Sequence, residues 1–96
     1  MPPPRRSTPR SPQHAALGEA VERLRLAAGF TQEELAERMD SDFTQVGGIE
    51  RGIRNPSYAA LVRIAEALGT RPGTIVTLAD QVLDEGGTAA QPAGSD

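Results

Sequence analysis

Helix start and stop signals follow one another so closely between residues 15 and 83 that only short helices fit. Leu17, Val21, Leu24 and Ala28 fall at i, i+4, i+7 and i+11, one stripe of a first helix. Gly29 stands in the position of its C-terminal cap. Thr31 opens T-Q-E-E, a capping box in which Thr31 and Glu34 satisfy each other's backbone donors. The helix it starts turns Leu35, Ala36 and Met39 inward and ends by Met39. Asp40-Ser41 reverses the chain, and Asp tolerates a left-handed backbone better than most residues. Asp42 caps a third helix with Val46 and Ile49 inward, and Gly52 ends it. Ser57 caps a fourth, with Tyr58, Leu61, Ile64, Ala65 and Leu68 on one side, and Gly69 closes it. Pro72 suits the first turn of a fifth, whose apolar positions are Ile75, Val76, Ala79, Val82 and Leu83. The spacing predicts an all-α domain of five short helices.

Residues 32–51 are the decisive pair. Two helices this short, separated by about three residues, must cross steeply, which is the helix-turn-helix arrangement. Ala36 and Val46 suit the crossing, where one small residue lets the second helix approach.

The ends read differently. Residues 1–14 hold five Pro and, Met1 apart, no aliphatic side chain. Such a stretch buries too little apolar area to offset its ordering entropy, so a disordered basic arm is expected there. Residues 84–96 are small and polar, and a disordered acidic tail is expected. No apolar run follows Arg5 and Arg6, so no secretory signal is expected, and no segment has the length of a membrane span. The chain has no Cys, which excludes disulfides and thiolate metal sites. The single His, His14, falls in the arm and makes no zinc site. The carboxylates lie mostly on outward faces and no nucleophile–base pair assembles, so no enzyme is expected.

A net charge of −3 is unusual for a DNA binder. Residues 1–14 carry Arg5, Arg6 and Arg10 and no acid, residues 15–79 carry seven Arg against nine acids, and residues 80–96 carry four acids. Binding depends on the charge of one face and not on the total. That all ten basic residues are Arg reads as a coding bias together with the abundant Ala, Gly and Pro.

The strings LGEAVERLR, GFTQEELAERM and VGGIERGIRNPSYAALVRIAEALG resemble the phage-repressor (Cro-type, xenobiotic-response-element) helix-turn-helix family over about residues 16–79. TQVGGIERGIRNPS resembles the subset that includes restriction–modification controller proteins. The resemblance implies a compact five-helix, lambda-repressor-like domain that binds double-stranded DNA as a homodimer, with the third helix in the major groove. It implies Gln32 against a phosphate, Phe43, Thr44 and Gln45 beginning the reading helix, and Gly48 one turn on. Arg51 and Arg54 would meet the DNA backbone with Asn55 nearby, and Arg25 and Glu50 would bridge the first helix to the third.

Several positions depart from the family pattern. Asp40 stands where Gly is frequent, Ser41 replaces a usual apolar residue, and Phe43 replaces a polar or basic reader. Gly47 and Gly48 are adjacent inside the reading helix, each costing about 1 kcal/mol relative to Ala. Either the backbone there lies unusually close to DNA or base reading has faded. Phe43 either fills the space Ser41 leaves or meets a thymine methyl. The apolar positions of the fifth helix, Ile75, Val76, Ala79, Val82 and Leu83, are wide enough to suggest a dimer face. A sequence-specific DNA-binding regulator is expected in the cytoplasm, on the nucleoid, with neither cofactor nor small-molecule ligand. The other reading is a protein-interaction module or antitoxin on the same fold with weak DNA affinity.

Overall fold

The computed structural model describes residues 8–86; the expectations for Arg5, Arg6 and residues 87–96 lie outside them. Among the described residues the regular elements are five helices: α1 (Pro12–Ala27), α2 (Gln32–Arg38), α3 (Phe43–Glu50), α4 (Tyr58–Leu68) and α5 (Pro72–Glu85). The caps are those the sequence predicts. Thr31 accepts from the Glu34 N–H at 3.0 Å while the Glu34 carboxylate accepts from the Thr31 N–H at 2.8 Å. Asp42 caps α3 through the Gln45 N–H at 2.9 Å, and Ser57 caps α4 through the Ala60 N–H at 3.0 Å. Asp40 takes a left-handed backbone with φ of 57°, as the reversal between α2 and α3 requires.

Two boundaries need correction. Helix α1 begins at Pro12, so residues 12–14 do not belong to an arm. Ser11 caps the helix by accepting the His14 N–H at 3.0 Å, and Pro12 occupies the first helical position, where its missing N–H costs nothing. The Arg10 N–H donates to the Gly52 carbonyl at 2.8 Å, so the chain is tied to the end of α3 before α1 starts. At the other end α5 runs on through Asp84 and Glu85 and closes at Gly86.

One core joins all five helices. Leu35, Ile49, Ile64, Ile75, Val21, Val46 and Val82 have their side chains fully inside it. α1 packs against α5 and α3, and the first half of its inner face carries small residues, Ala16, Gly18 and Ala20, ahead of Val21 and Arg25. A Cβ on Gly18 would run into the carbonyl oxygens of Ile49 and Glu50, and one on Gly52 would stand 2.9 Å from the Ala15 Cα. The two glycines therefore set how closely α1 approaches the end of α3. This tight crossing fixes how α3 is set against α1.

The dimer expectation is corrected for three residues. Ile75, Ala79 and Val82 are buried within the protomer, because α1 covers that side of α5. Val76 is 44% exposed and Leu83 is partly buried. Tyr58, expected on the apolar side of α4, is 73% exposed instead.

Gly18→Ala is expected to lower stability by about 1–3 kcal/mol through overpacking, although Ala favours helix. Gly73→Ala, at a position with nothing within 4 Å, is expected to be neutral or mildly stabilising. Urea unfolding measures both; equal midpoints for the two variants would mean that α1 does not cross α3 this closely.

Candidate nucleic-acid interface

The α2–turn–α3 unit is held by one carboxylate. Glu50, at the last turn of α3, accepts from Arg25 Nε at 2.6 Å and Nη2 at 3.0 Å, and from Gln32 Nε2 at 2.8 Å. Arg25 Nη1 donates to the Phe30 carbonyl at 2.8 Å, so the same guanidinium fixes the α1–α2 connection. The Arg25 and Glu50 side chains retain 8% and 4% of their exposure. Such a pair is favourable only when its geometry is good and further hydrogen bonds engage its polar atoms; here the contact is bidentate, and the Phe30 carbonyl and Gln32 take further bonds. The hydrogen bonds to Glu50 hold the Arg25 guanidinium above its ordinary pKa. A folded-state value raised in this way leaves the Arg25 contribution intact at every pH below its ordinary value, so the arginine brings no pH dependence near neutrality.

The expected Arg25–Glu50 bridge is therefore present, and it has a third member. Gln32 is half-buried and gives one N–H to Glu50, leaving its second N–H and its carbonyl for another partner. Asn55 is also engaged. Its Oδ1 lies 3.1 Å from His14 Nε2 and can only accept, so Nε2 carries the ring proton. Nδ1 lies 2.7 Å from Ser11 Oγ. His14, which the sequence leaves in the arm, instead joins the start of α1 to the loop after α3. Two signals for it were available, Ser11 as a cap and Pro12 as a first-turn residue, but five prolines in fourteen residues obscured them.

With about 100° per residue, α3 turns Val46 and Ile49 into the core and directs Thr44, Gly47, Gly48 and Arg51 away from it. Thr44 and Arg51 are exposed, and Gln45 is half-buried. Gly47 and Gly48 are covered by side chains from within the protein: Arg51 Nη1 lies 3.1 Å from a Cβ built on Gly47, and Arg54 Cγ, Nε and Cδ lie 2.7–2.9 Å from one built on Gly48. Phe43 is 50% exposed beside Ser41, so it only partly fills the space that Ser41 leaves.

Charge is divided between the two sides of α3. Beyond its first turn a groove is lined by Thr31, Glu33, Glu34, Glu37, Ser41 and Phe43. On the opposite side Arg10, Arg54 and Arg63 line a second groove with Gln45, Asn55 and Ser57, and no acid is among its lining residues. The acids that line the first groove are thus separate from the arginines that line the second. Arg10 and Arg63 are the cations there that helical periodicity alone did not single out.

Two short, steeply crossed helices, the second with an outward face free of core and bearing arginine, define a helix-turn-helix DNA-binding regulator. The chain belongs to the helix-turn-helix family, which matches residues 21–75. It is 37% identical over 65 residues to an HTH-type transcriptional regulator of Sinorhizobium fredii, covering 68% of this chain and 84% of that one. It is 39% identical over 56 residues to the control protein C.BamHI of Bacillus amyloliquefaciens, covering 57% and 69%. The crystal structure of the restriction–modification controller protein C.AhdI from Aeromonas hydrophila superposes with a TM-score of 0.67 at 35% identity, covering 68% of this chain and 98% of that one.

Arg25→Met, which leaves Glu50 buried without its cation, is expected to cost about 3–5 kcal/mol. Arg25→Met combined with Glu50→Leu is expected to recover much of that loss. A double-mutant cycle by chemical denaturation measures the coupling, and strictly additive losses would show that the bridge carries no shared energy.

Proposed function

We propose that the protein is a homodimeric transcriptional repressor or controller that reads a pseudo-palindromic operator with α3 in the major groove. The observation that carries this reading is the outward face of α3, which bears Thr44 and Arg51, is crossed by Arg54, and presents no carboxylate. Thr44 and Gln45 would meet base edges, and Phe43 a thymine methyl. Arg51 and the free N–H of Gln32 would hold phosphates, which position the domain without reading sequence. Arg10, Arg63 and the Asn55 loop would extend the phosphate track along the second groove.

The second protomer would dock on the broad apolar depression lined by Leu24, Tyr58, Leu61, Pro72, Val76 and Leu78. It replaces the face expected from α5 alone, since Val76 is the α5 residue of that set with the greatest exposure. Two-fold symmetry would put the half-sites roughly 34 Å apart. The names of the controller relatives favour a role in gene control and no catalytic one, with double-stranded DNA as the partner in the cytoplasm. Among the described residues no helix is long and apolar enough to cross a membrane.

A second reading keeps the fold as a protein-interaction module or antitoxin. The half-exposed Phe43 beside Glu33, Glu34 and Glu37 favours it. The two readings differ in site selection. A DNA regulator is expected to select a symmetric site from a random duplex pool and to lose affinity steeply with salt, whereas an interaction module with weak DNA affinity selects no such site.

Arg51→Ala is expected to weaken every sequence alike and to reduce the log Kd–log salt slope by about 0.9 per protomer. An unchanged slope would remove Arg51 from the phosphate contacts. Val76→Asp is expected to shift the protein to monomer in sedimentation equilibrium and to weaken operator binding with it. A dimer that persists would move the interface elsewhere.

A further inference from the structure

The reading helix has no side chain at the middle of its outward face. Gly47 and Gly48 occupy it, both are buried, and the core covers neither. Glycine destabilises a helix interior relative to alanine, so two in succession call for a cause. At position 48 the cause is steric. A Cβ there would lie 2.7 Å from Arg54 Cγ, 2.8 Å from its Nε and 2.9 Å from its Cδ. These are closer than van der Waals contact allows, so the Arg54 stem can cross α3 only because residue 48 lacks a side chain. The loop backbone fixes where that stem begins, since the Ile53 and Arg54 N–H groups both donate to the Gly48 carbonyl, at 3.0 and 3.2 Å.

We propose that Gly48 is a seat for Arg54 and that Arg54, delivered from the loop, is a base-reading residue specific for guanine. The proposal rests on α3 lying in the major groove. The sequence expectation sets Arg54 at the DNA backbone. The stem instead crosses the middle of the outward face, with Nε 2.8 Å from where a Cβ of residue 48 would stand, so the arginine takes the place from which a side chain of residue 48 would face the base edges. An arginine in that place takes guanine O6 and N7 with two parallel hydrogen bonds.

The test uses the full chain and the operator it selects from a random duplex pool, with each guanine replaced singly by 7-deazaguanine, which lacks N7. One guanine per half-site is expected to lose about tenfold in affinity for the unaltered protein, and Arg54→Ala is expected to bind both DNAs equally. Arg54→Lys keeps the charge and is expected not to restore the preference. Gly48→Ala is expected to keep or raise Tm, because a flexible side chain can yield to the new methyl. It is nonetheless expected to lose as much operator affinity as Arg54→Ala, with no further loss in the double variant. That separation of stability from binding is one a purely structural glycine would not give. Uniform weakening across sequences by Arg54→Ala with a flatter salt slope, or full affinity in Gly48→Ala, would overturn the proposal and leave the DNA reading intact. A pool that yields no selected site would overturn the DNA reading, and this proposal with it.

Discussion

The Glu50 carboxylate is the point on which this small domain turns. It stands at the end of α3 and takes hydrogen bonds from α1 through Arg25 and from α2 through Gln32. The Arg25 guanidinium also closes the α1–α2 connection through the Phe30 carbonyl. Helices as short as α2 and α3 have little stability of their own, and their mutual angle would be loose if apolar packing alone set it. A bidentate charged contact has direction, which hydrophobic contact lacks. The bridge thus fixes an orientation at the place where two helices must present themselves together.

Close approach does the rest. Gly18 and Gly52 remove the atoms that would hold α1 away from the end of α3. With α1 so near, Arg25 reaches Glu50, and the Arg10 N–H reaches the Gly52 carbonyl. The loop after α3 is then braced from a second side by His14 and Asn55. These contacts reinforce one another: the glycine crossing sets the distance, and the polar contacts set the rotation.

Much of this was legible in the sequence because it is local. The Thr31–Glu34 capping box, the Asp42 and Ser57 caps, the reversal at Asp40 and the stops at Gly29, Gly52 and Gly69 are each decided within a few residues. What escaped notice depends on residues distant in the chain. Ile75, Ala79 and Val82 face inward because α1 lies against them, which the pattern of α5 alone does not reveal. His14 looked like part of a proline-rich arm because its partner, Asn55, is 41 residues away. Gly48 remained ambiguous for another reason: its neighbour is the Arg54 stem, only six residues on but laid across the helix, and a stem's path is not a periodicity. The overall charge misled in a similar way, since Glu33, Glu34 and Glu37 lie on one side of α3 and Arg10, Arg54 and Arg63 on the other.

The layering of Arg54 over a bare stretch of helix separates two things that such domains usually keep in one element. In most helices a residue that touches a partner also sets the local backbone, so altering one disturbs the other. Here the arginine grows from a loop and rests on α3 without belonging to it. Exchanging that residue changes the chemistry offered at the surface while the helix, its cap and its buried bridge stay as they are. If Arg54 reads bases as proposed, descendants of such a chain have an inexpensive path to new targets, because divergence in what is bound need not pass through a less stable fold.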